Sequence, residues 1–303
     1  LPLADAAVQQ RDRLIESGHL VPTGARGLYG LAAPFQKIVS GIESVVERAG
    51  ADRPSSVVRF PPVVPTGVFE KSGYLQSFPN LAAVLFSFGG GDAEHADLVR
   101  RFDSGADWTG DLAPIGSVLC SAACHPLYAT IAGPLTQGGG TWAVYGWVFR
   151  HEPSDDPARM QSFRQYEYVR VGEPDEAVEH RDYWRERATT VLSDLGLDVR
   201  TEVANDPFFG RAGRMLAANQ QNRQLKYEVL AYTQDSESPT AIASANYHED
   251  HFGSAFDIRT VDGAVAHSAC VGFGVERIAL ALLWQHGLDS DQWPPAVRRQ
   301  LWP

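Results

Sequence analysis

The stretch SACVGFGVERIALALL, Ser268–Leu283, places Gly272 and Gly274 one residue apart, then Arg277, then an apolar run. Val275, Ile278, Ala279, Leu282 and Leu283 recur at helical spacing, and Gly287 supplies a stop signal. Paired glycines before a helix suggest a site for nucleotide phosphates. The dinucleotide fingerprint fails, because Arg277 stands where its third glycine is required and the chain is nearly finished. No Gly-Lys-Ser/Thr phosphate loop is present either. What remains is a glycine pair that permits close approach of backbone or ligand, with a guanidinium at the start of a helix. A packed glycine turn with a surface arginine fits the same residues equally well.

The chain around this stretch has 303 residues, enough for one large domain or two ordinary ones. Its residues are 44% hydrophobic and 21% charged, the balance of a soluble globular protein, and no apolar run reaches membrane-span length. The opening LPLADAAVQQRDRLIESG turns polar early and lacks a signal-peptide core, and it begins with Leu1, as a trimmed chain would. Cys120, Cys124 and Cys270 are too few and too scattered for a disulfide framework, so a cytoplasmic protein is expected. A formal net charge of −11 argues against binding a nucleic-acid backbone. It leaves ATP open, which needs only a few local arginines.

Residues 35–46 space Phe35, Ile38, Val39, Ile42, Val45 and Val46 as one helical face, and the proline-rich RFPPVVPTG that follows forces extended backbone. GTWAVYGWVFRHE (140–152) and SFRQYEYVRVGE (162–173) read as strands joined by a polar turn. A helix is expected over 175–195 with Gly196 as its stop, and GRAGRMLAANQQNRQ reads as another. LKYEVLAYT and TAIASANYH read as further strands. Adjacent strands with short connections predict an α+β fold, an antiparallel sheet flanked by helices.

The hairpin at 148–171 adds chemistry. In VFRHE, strand periodicity puts Arg150 and Glu152 on one side. Arg159 follows the turn, and Phe163, Gln165 and Glu167 alternate onto one face of the return strand. An aromatic can stack on adenine, and arginines can clamp a triphosphate. A salt-bridged hairpin with core aromatics is the other reading of these residues.

Taken in order, three segments resemble the motifs of class II aminoacyl-tRNA synthetases. GLYGLAAPFQKIVSGIESVVE…FPPVV is similar to motif 1, FRHE…R…F…E to motif 2 and GFGVER to motif 3. A finer resemblance rests on AACHPLY, QYEYVRV, SANYHEDHFGSAF and HSACVGFGVER. These look like the amino acid:[carrier protein] ligases, which are similar to the catalytic domain of the zinc-dependent seryl-tRNA synthetases of methanogens. The resemblance implies residues 1–26 as an N-terminal extension and 27–303 as a single catalytic domain. It also implies a class II synthetase-like antiparallel sheet and a homodimer formed through motif 1.

By the same resemblance, zinc is held by Cys124, Glu167 and Cys270, a ligand set that leaves a fourth position open for substrate. Without the resemblance, the two cysteines read as small buried hydrophobes and Glu167 as an ion-pair partner. The implied reaction is ATP-dependent activation of a small amino acid, glycine or alanine, as the aminoacyl adenylate. Transfer to the phosphopantetheine thiol of a carrier protein follows. Arg150 and Arg277 are the expected catalytic arginines. Arg150, Glu152, Arg159, Phe163 and Arg277 are the expected ATP contacts.

Magnesium is expected with ATP. This class usually places a metal-binding Glu where Ala241 stands, so Glu228 becomes the candidate ligand. Arg211, Arg214, Arg223 and Lys226, with no acid among them, form the expected docking patch for an acidic carrier protein. Residues 1–26 leave no room for an RNA-binding domain before motif 1, so no tRNA partner is expected. The alternatives are an enzyme acting on RNA and a non-catalytic amino-acid sensor.

Overall fold

In the computed structural model, which describes residues 3–136, 138–206, 220–221 and 223–303, the alternating segments become strands of one seven-stranded sheet. In chain order these are β1 (Ser56–Val58), β2 (Gly140–Phe149), β3 (Ser162–Gly172), β4 (Arg200–Val203), β5 (Lys226–Ala231), β6 (Thr240–Glu249) and β7 (His267–Gly274). Their spatial order is β4-β5-β6-β7-β3-β2-β1. Every neighbouring pair is antiparallel except β1 with β2, which run parallel at one edge. The expected antiparallel sheet is therefore a mixed one, with the motif 1 strand as its parallel member.

Ser268–Gly274 is the main revision. It is not a glycine turn but β7, a strand inside the sheet between β6 and β3. Neither Gly272 nor Gly274 has a positive φ. A Cβ on Gly272 would stand 3.6 Å from the Glu167 side chain, so the missing side chain keeps space open above the sheet.

Side-chain parity divides the molecule into two faces. Tyr166 and Tyr168 of β3 point into the main core. That core is built with α1 (Ala33–Ala49), α3 (Pro174–Asp194) and α5 (Val275–His286), which carry Phe35 and Ile38, Trp184, and Ile278 and Leu282. Trp184 stacks on Tyr168 with ring centroids 4.4 Å apart, and both are buried. Leu14 and Leu20, from the segment before motif 1, lie in the same core. On the opposite face, Val169 and Val171 pack with α2 (His125–Thr130) and α4 (His251–Phe256). The cavity described below opens on that face.

Helix α4 depends on a close backbone approach. A Cβ on Gly253 would lie 2.0 Å from the Ala266 carbonyl oxygen. Gly253→Ala is expected to lower stability by about 1–3 kcal/mol through forced displacement of the helix. A lowered urea midpoint at unchanged slope would record this.

A second sheet was not legible in the sequence. Val63–Pro65, Val84–Phe88 and Leu112–Leu119 pair antiparallel, with helix Asp92–Asp103 between the last two strands. Phe86 and Phe102 there are more than half exposed. Among the described residues, no helix is long and apolar enough to cross a membrane.

Candidate active site

A cavity of about 530 Å³ lies on the second face of the sheet. Strands β3, β5, β6 and β7 form its floor, and α2, α4 and the segment 72–81 form its walls. Register places the floor residues. Glu228, Ser244, Gly272 and Glu167 align across β5, β6, β7 and β3, and Lys226, Asn246 and Cys270 form the adjacent row. Phe163, Gln165 and Glu167 share the cavity face, as alternation predicts.

Arg150 enters from just beyond the end of β2. Its Nε donates to the Ser121 carbonyl oxygen at 3.1 Å, and its guanidinium stands 5.4 Å from the Phe163 ring centroid. The expected strand parity between Arg150 and Glu152 does not hold, because the strand stops at Phe149 and both residues lie in the turn that follows. Glu152 pairs with Arg159 beside the cavity instead of lining it. Arg277 reaches the cavity from the first turn of α5. Its Nε donates to Ala158 O at 2.8 Å, and its Nη1 donates to Ala241 O at 3.0 Å. Burial, and then the neighbouring Arg150 and Arg159, push its pKa down to about 10, so it stays charged at neutral pH. These contacts fix two guanidiniums without neutralising them, which suits them to an anionic ligand.

Cys124, Glu167 and Cys270 come together at the other end, although 43 and 103 residues separate them in sequence. Cys124 hydrogen-bonds both Cys270 and Glu167. The hydrogen bond from Cys124, aided by His248 and Asn246, draws the Cys270 thiol well below its ordinary value. The same contact and burial push Cys124 up. Burial, then the charge on Cys270, raises Glu167 to about 8. Glu167 Oε2 is buried without a hydrogen-bond partner.

Among the described residues, no group of three or more His, Cys, Asp or Glu side chains stands in an arrangement that could hold a metal ion as it is. The donor chemistry nevertheless fits a divalent cation. Two sulfurs and an unpartnered carboxylate oxygen converge in a desolvated place, and a cation would supply the missing counter-charge.

Two expected roles change. Lys226 is not at a docking surface. It is buried in the cavity floor, hydrogen-bonded to Asp206, with Glu228 Oε1 at 3.0 Å from its Nζ. An ammonium so desolvated requires those carboxylates. The magnesium candidate Glu228 is thereby already engaged by a cation. Arg223 is exposed and pairs with Glu249, while Arg211 and Arg214 lie outside the described residues.

Sequence reasoning missed Asp206, Tyr74 and His125 as cavity residues. Only the acid at 206 had a signal, as a carboxylate before a basic segment. It also missed the support behind the floor. Arg164 is buried on the opposite face of β3, where its Nε donates to Glu276 Oε1 at 2.6 Å and its Nη1 to Gln36 Oε1 at 3.0 Å. Glu276 Oε2 accepts the Arg164 backbone N–H at 2.7 Å. Motifs 1, 2 and 3 therefore meet at one buried ion pair. In addition, Arg11 and Arg26 both pair with Asp155 in the turn between β2 and β3, at 2.8 and 2.7 Å.

No protein-family model matches the chain. Individual relatives do. The chain is 41% identical to amino acid–[acyl-carrier-protein] ligase 1 of Bradyrhizobium diazoefficiens, over 98% of this chain and 90% of that protein. It is 43% identical to ligase 2 of the same organism, over 91% of this chain and 83% of that protein. A crystal structure of the M. kandleri seryl-tRNA synthetase in complex with A. aeolicus tRNASec superposes with a TM-score of 0.81 at 22% identity, covering 96% of this chain and 60% of that one. This last likeness establishes the fold, class II synthetase-like, with the chain spanning 60% of that structure.

Proposed function

The chain belongs to the amino acid–[acyl-carrier-protein] ligase family, and on that premise we propose that it activates a small amino acid, glycine or alanine, with ATP and passes it to the phosphopantetheine thiol of a carrier protein. One observation carries the reading. A single cavity joins guanidiniums and an aromatic ring, suited to a nucleotide, with a thiol–carboxylate–thiol group suited to a bound cation.

In the first step the amino-acid carboxylate attacks the α-phosphorus of ATP in line, and the bond to pyrophosphate breaks. Arg150 bridges the carboxylate and the α-phosphate and stabilises charge as the bond forms. Phe163 stacks on adenine, and Glu152 reads its amino edge only by turning into the cavity from its pairing with Arg159. Arg159 and Arg277 hold the outer phosphates, and magnesium arrives with them as counter-charge. Glu228 would hold magnesium only by giving up its contact with Lys226. In the second step the carrier thiol displaces AMP from the adenylate.

Cys124, Glu167 and Cys270 would hold zinc, whose bound form offers a Lewis-acid position for the substrate amino group. The protein's own part there is to bring three donors together and exclude water. Purified protein is expected to carry about one zinc per chain, and Cys270→Ala to lose it. Elemental analysis of both, with thermal midpoints, checks this. Zinc-free wild type and a fully active Cys270→Ala would remove the zinc assignment.

The working form is a homodimer in the cytoplasm, with Arg211, Arg214 and Arg223 left to receive the carrier and no tRNA required. The test is ATP–pyrophosphate exchange with each amino acid, followed by mass spectrometry of a holo carrier protein. Exchange with glycine or alanine and a mass gain on the carrier are expected. No exchange with any amino acid sinks the reading, and loading of RNA alone replaces it.

A further inference from the structure

Transfer to a thiol requires a place for the thiol proton, and Arg150, Phe163 and Arg277 provide none. Three histidines, His125, His248 and His251, stand in the wall of the cavity around the ring of Phe252. Two are disqualified by what holds them. His248 has Nδ1 at 3.0 Å from Ser268 Oγ and Nε2 at 3.6 Å from Cys270 Sγ, so both ring nitrogens are engaged. His125 is buried, packed between the rings of Tyr74 and Phe252 with centroids 5.6 and 5.9 Å away, so its nitrogens are not open to an incoming thiol.

His251 differs on both counts. It is exposed at the start of α4. Its Nε2 lies 3.0 Å from the Ser72 carbonyl oxygen. A carbonyl only accepts, so Nε2 carries the hydrogen and donates it. In the neutral ring this contact fixes the tautomer and leaves the lone pair on Nδ1, which has no hydrogen-bond partner among the described residues. The ring is held edge-on to Phe252 at 4.8 Å and 74°. It is also approached by Gly73, whose Cβ would stand 3.1 Å from it. An imidazole with one nitrogen anchored and the other free has the form of a general base.

We infer that His251 is the general base of the thioester-forming step. The inference rests on the carrier-ligase reading above. The carrier sulfur attacks the carbonyl carbon of the aminoacyl adenylate and forms the S–C bond. The S–H proton passes to His251 Nδ1, the C–O bond to the phosphate breaks, and AMP leaves with that electron pair. The other titratable groups around the ring are His125 and His248 across Phe252, and Tyr74 and Lys71 beside Ser72. Glu249 and Asp250 precede it in the chain.

The test compares His251→Ala and His251→Gln with wild type in two assays. ATP–pyrophosphate exchange reports adenylate formation and confirms folding. Quenched-flow transfer from preformed adenylate to a holo carrier protein reports the second step. Exchange is expected to stay within about twofold, while transfer falls on the order of 10²-fold in both variants. The pH–rate profile of transfer should lose its histidine limb, and added imidazole should restore part of the His251→Ala rate. Transfer at the wild-type rate overturns the inference. So does slowed transfer with an unaltered pH profile and no response to imidazole, which assigns the loss to carrier docking. Exchange absent in the wild type sinks the ligase reading and this inference with it.

Discussion

Arg150→Ala is expected to reduce ATP–pyrophosphate exchange by about 10²–10³-fold, the typical loss for one preorganised charge aimed at a developing anion. The magnitude follows from how the side chain is held. Its Nε is committed to the Ser121 carbonyl at 3.1 Å, which fixes the plane of the guanidinium. The face is steadied by the Phe163 ring. The remaining N–H groups are then oriented before any ligand arrives, and no carboxylate among the described residues pairs with them. Arg150→Lys should recover little, because an ammonium cannot both bond that carbonyl and present a planar fork. Stability should barely move, since no buried charge loses its partner. Exchange kinetics and a thermal unfolding curve on the same sample separate the two effects. Exchange within about threefold of wild type would remove Arg150 from the adenylation step.

The second large effect concerns folding. Arg164→Met should cost about 3–5 kcal/mol, because it leaves the Glu276 carboxylate buried without a counter-charge. Glu276 is 2% exposed, and its only cationic partner at ion-pair distance among the described residues is Arg164. Burial already raises the Glu276 pKa, against the opposing pull of Arg164. The double variant Arg164→Met, Glu276→Met removes both charges and should regain most of the loss. A double-mutant cycle from urea unfolding measures the coupling. Equal destabilisation in the single and double variants would show that shape, and not charge, governs this position.

Several elements of this arrangement were legible in the sequence for physical reasons that can be named. Helix α1 shows a continuous apolar face, and all of Phe35, Ile38, Val39, Ile42, Val45 and Val46 are buried. The alternation of Phe163, Gln165 and Glu167 survives because β3 separates a helical core from a cavity. Strand β7 was hidden because residues such as Ala269, Cys270 and Val271 are buried on both faces, which erases alternation. The parity assigned to Arg150 and Glu152 failed because periodicity carries no information about where a strand ends. Lys226 was misplaced because a lysine reads as surface until its partners are known, and Asp206 stands twenty residues away. Strand register brings Glu167 and Cys270 onto one face, and Cys124 joins them from the turn before α2, so the grouping has no local spacing signature.

Strand β7 also acts as a ruler. Cys270 and Gly274 are separated by four extended residues, on the order of 13 Å, and α5 begins at the next residue to deliver Arg277. The separation between the sulfur end and the phosphate end is therefore a fixed length of peptide, independent of any loop. Point changes elsewhere can reshape the walls without altering it. A one-residue insertion between Cys270 and Gly274 would rotate every residue on one side of it through the sheet, sending Cys270 toward the helical core or Arg277 away from the cavity. Changes in length are thus the mutations this segment tolerates least, while the walls remain free to be tailored to the substrate.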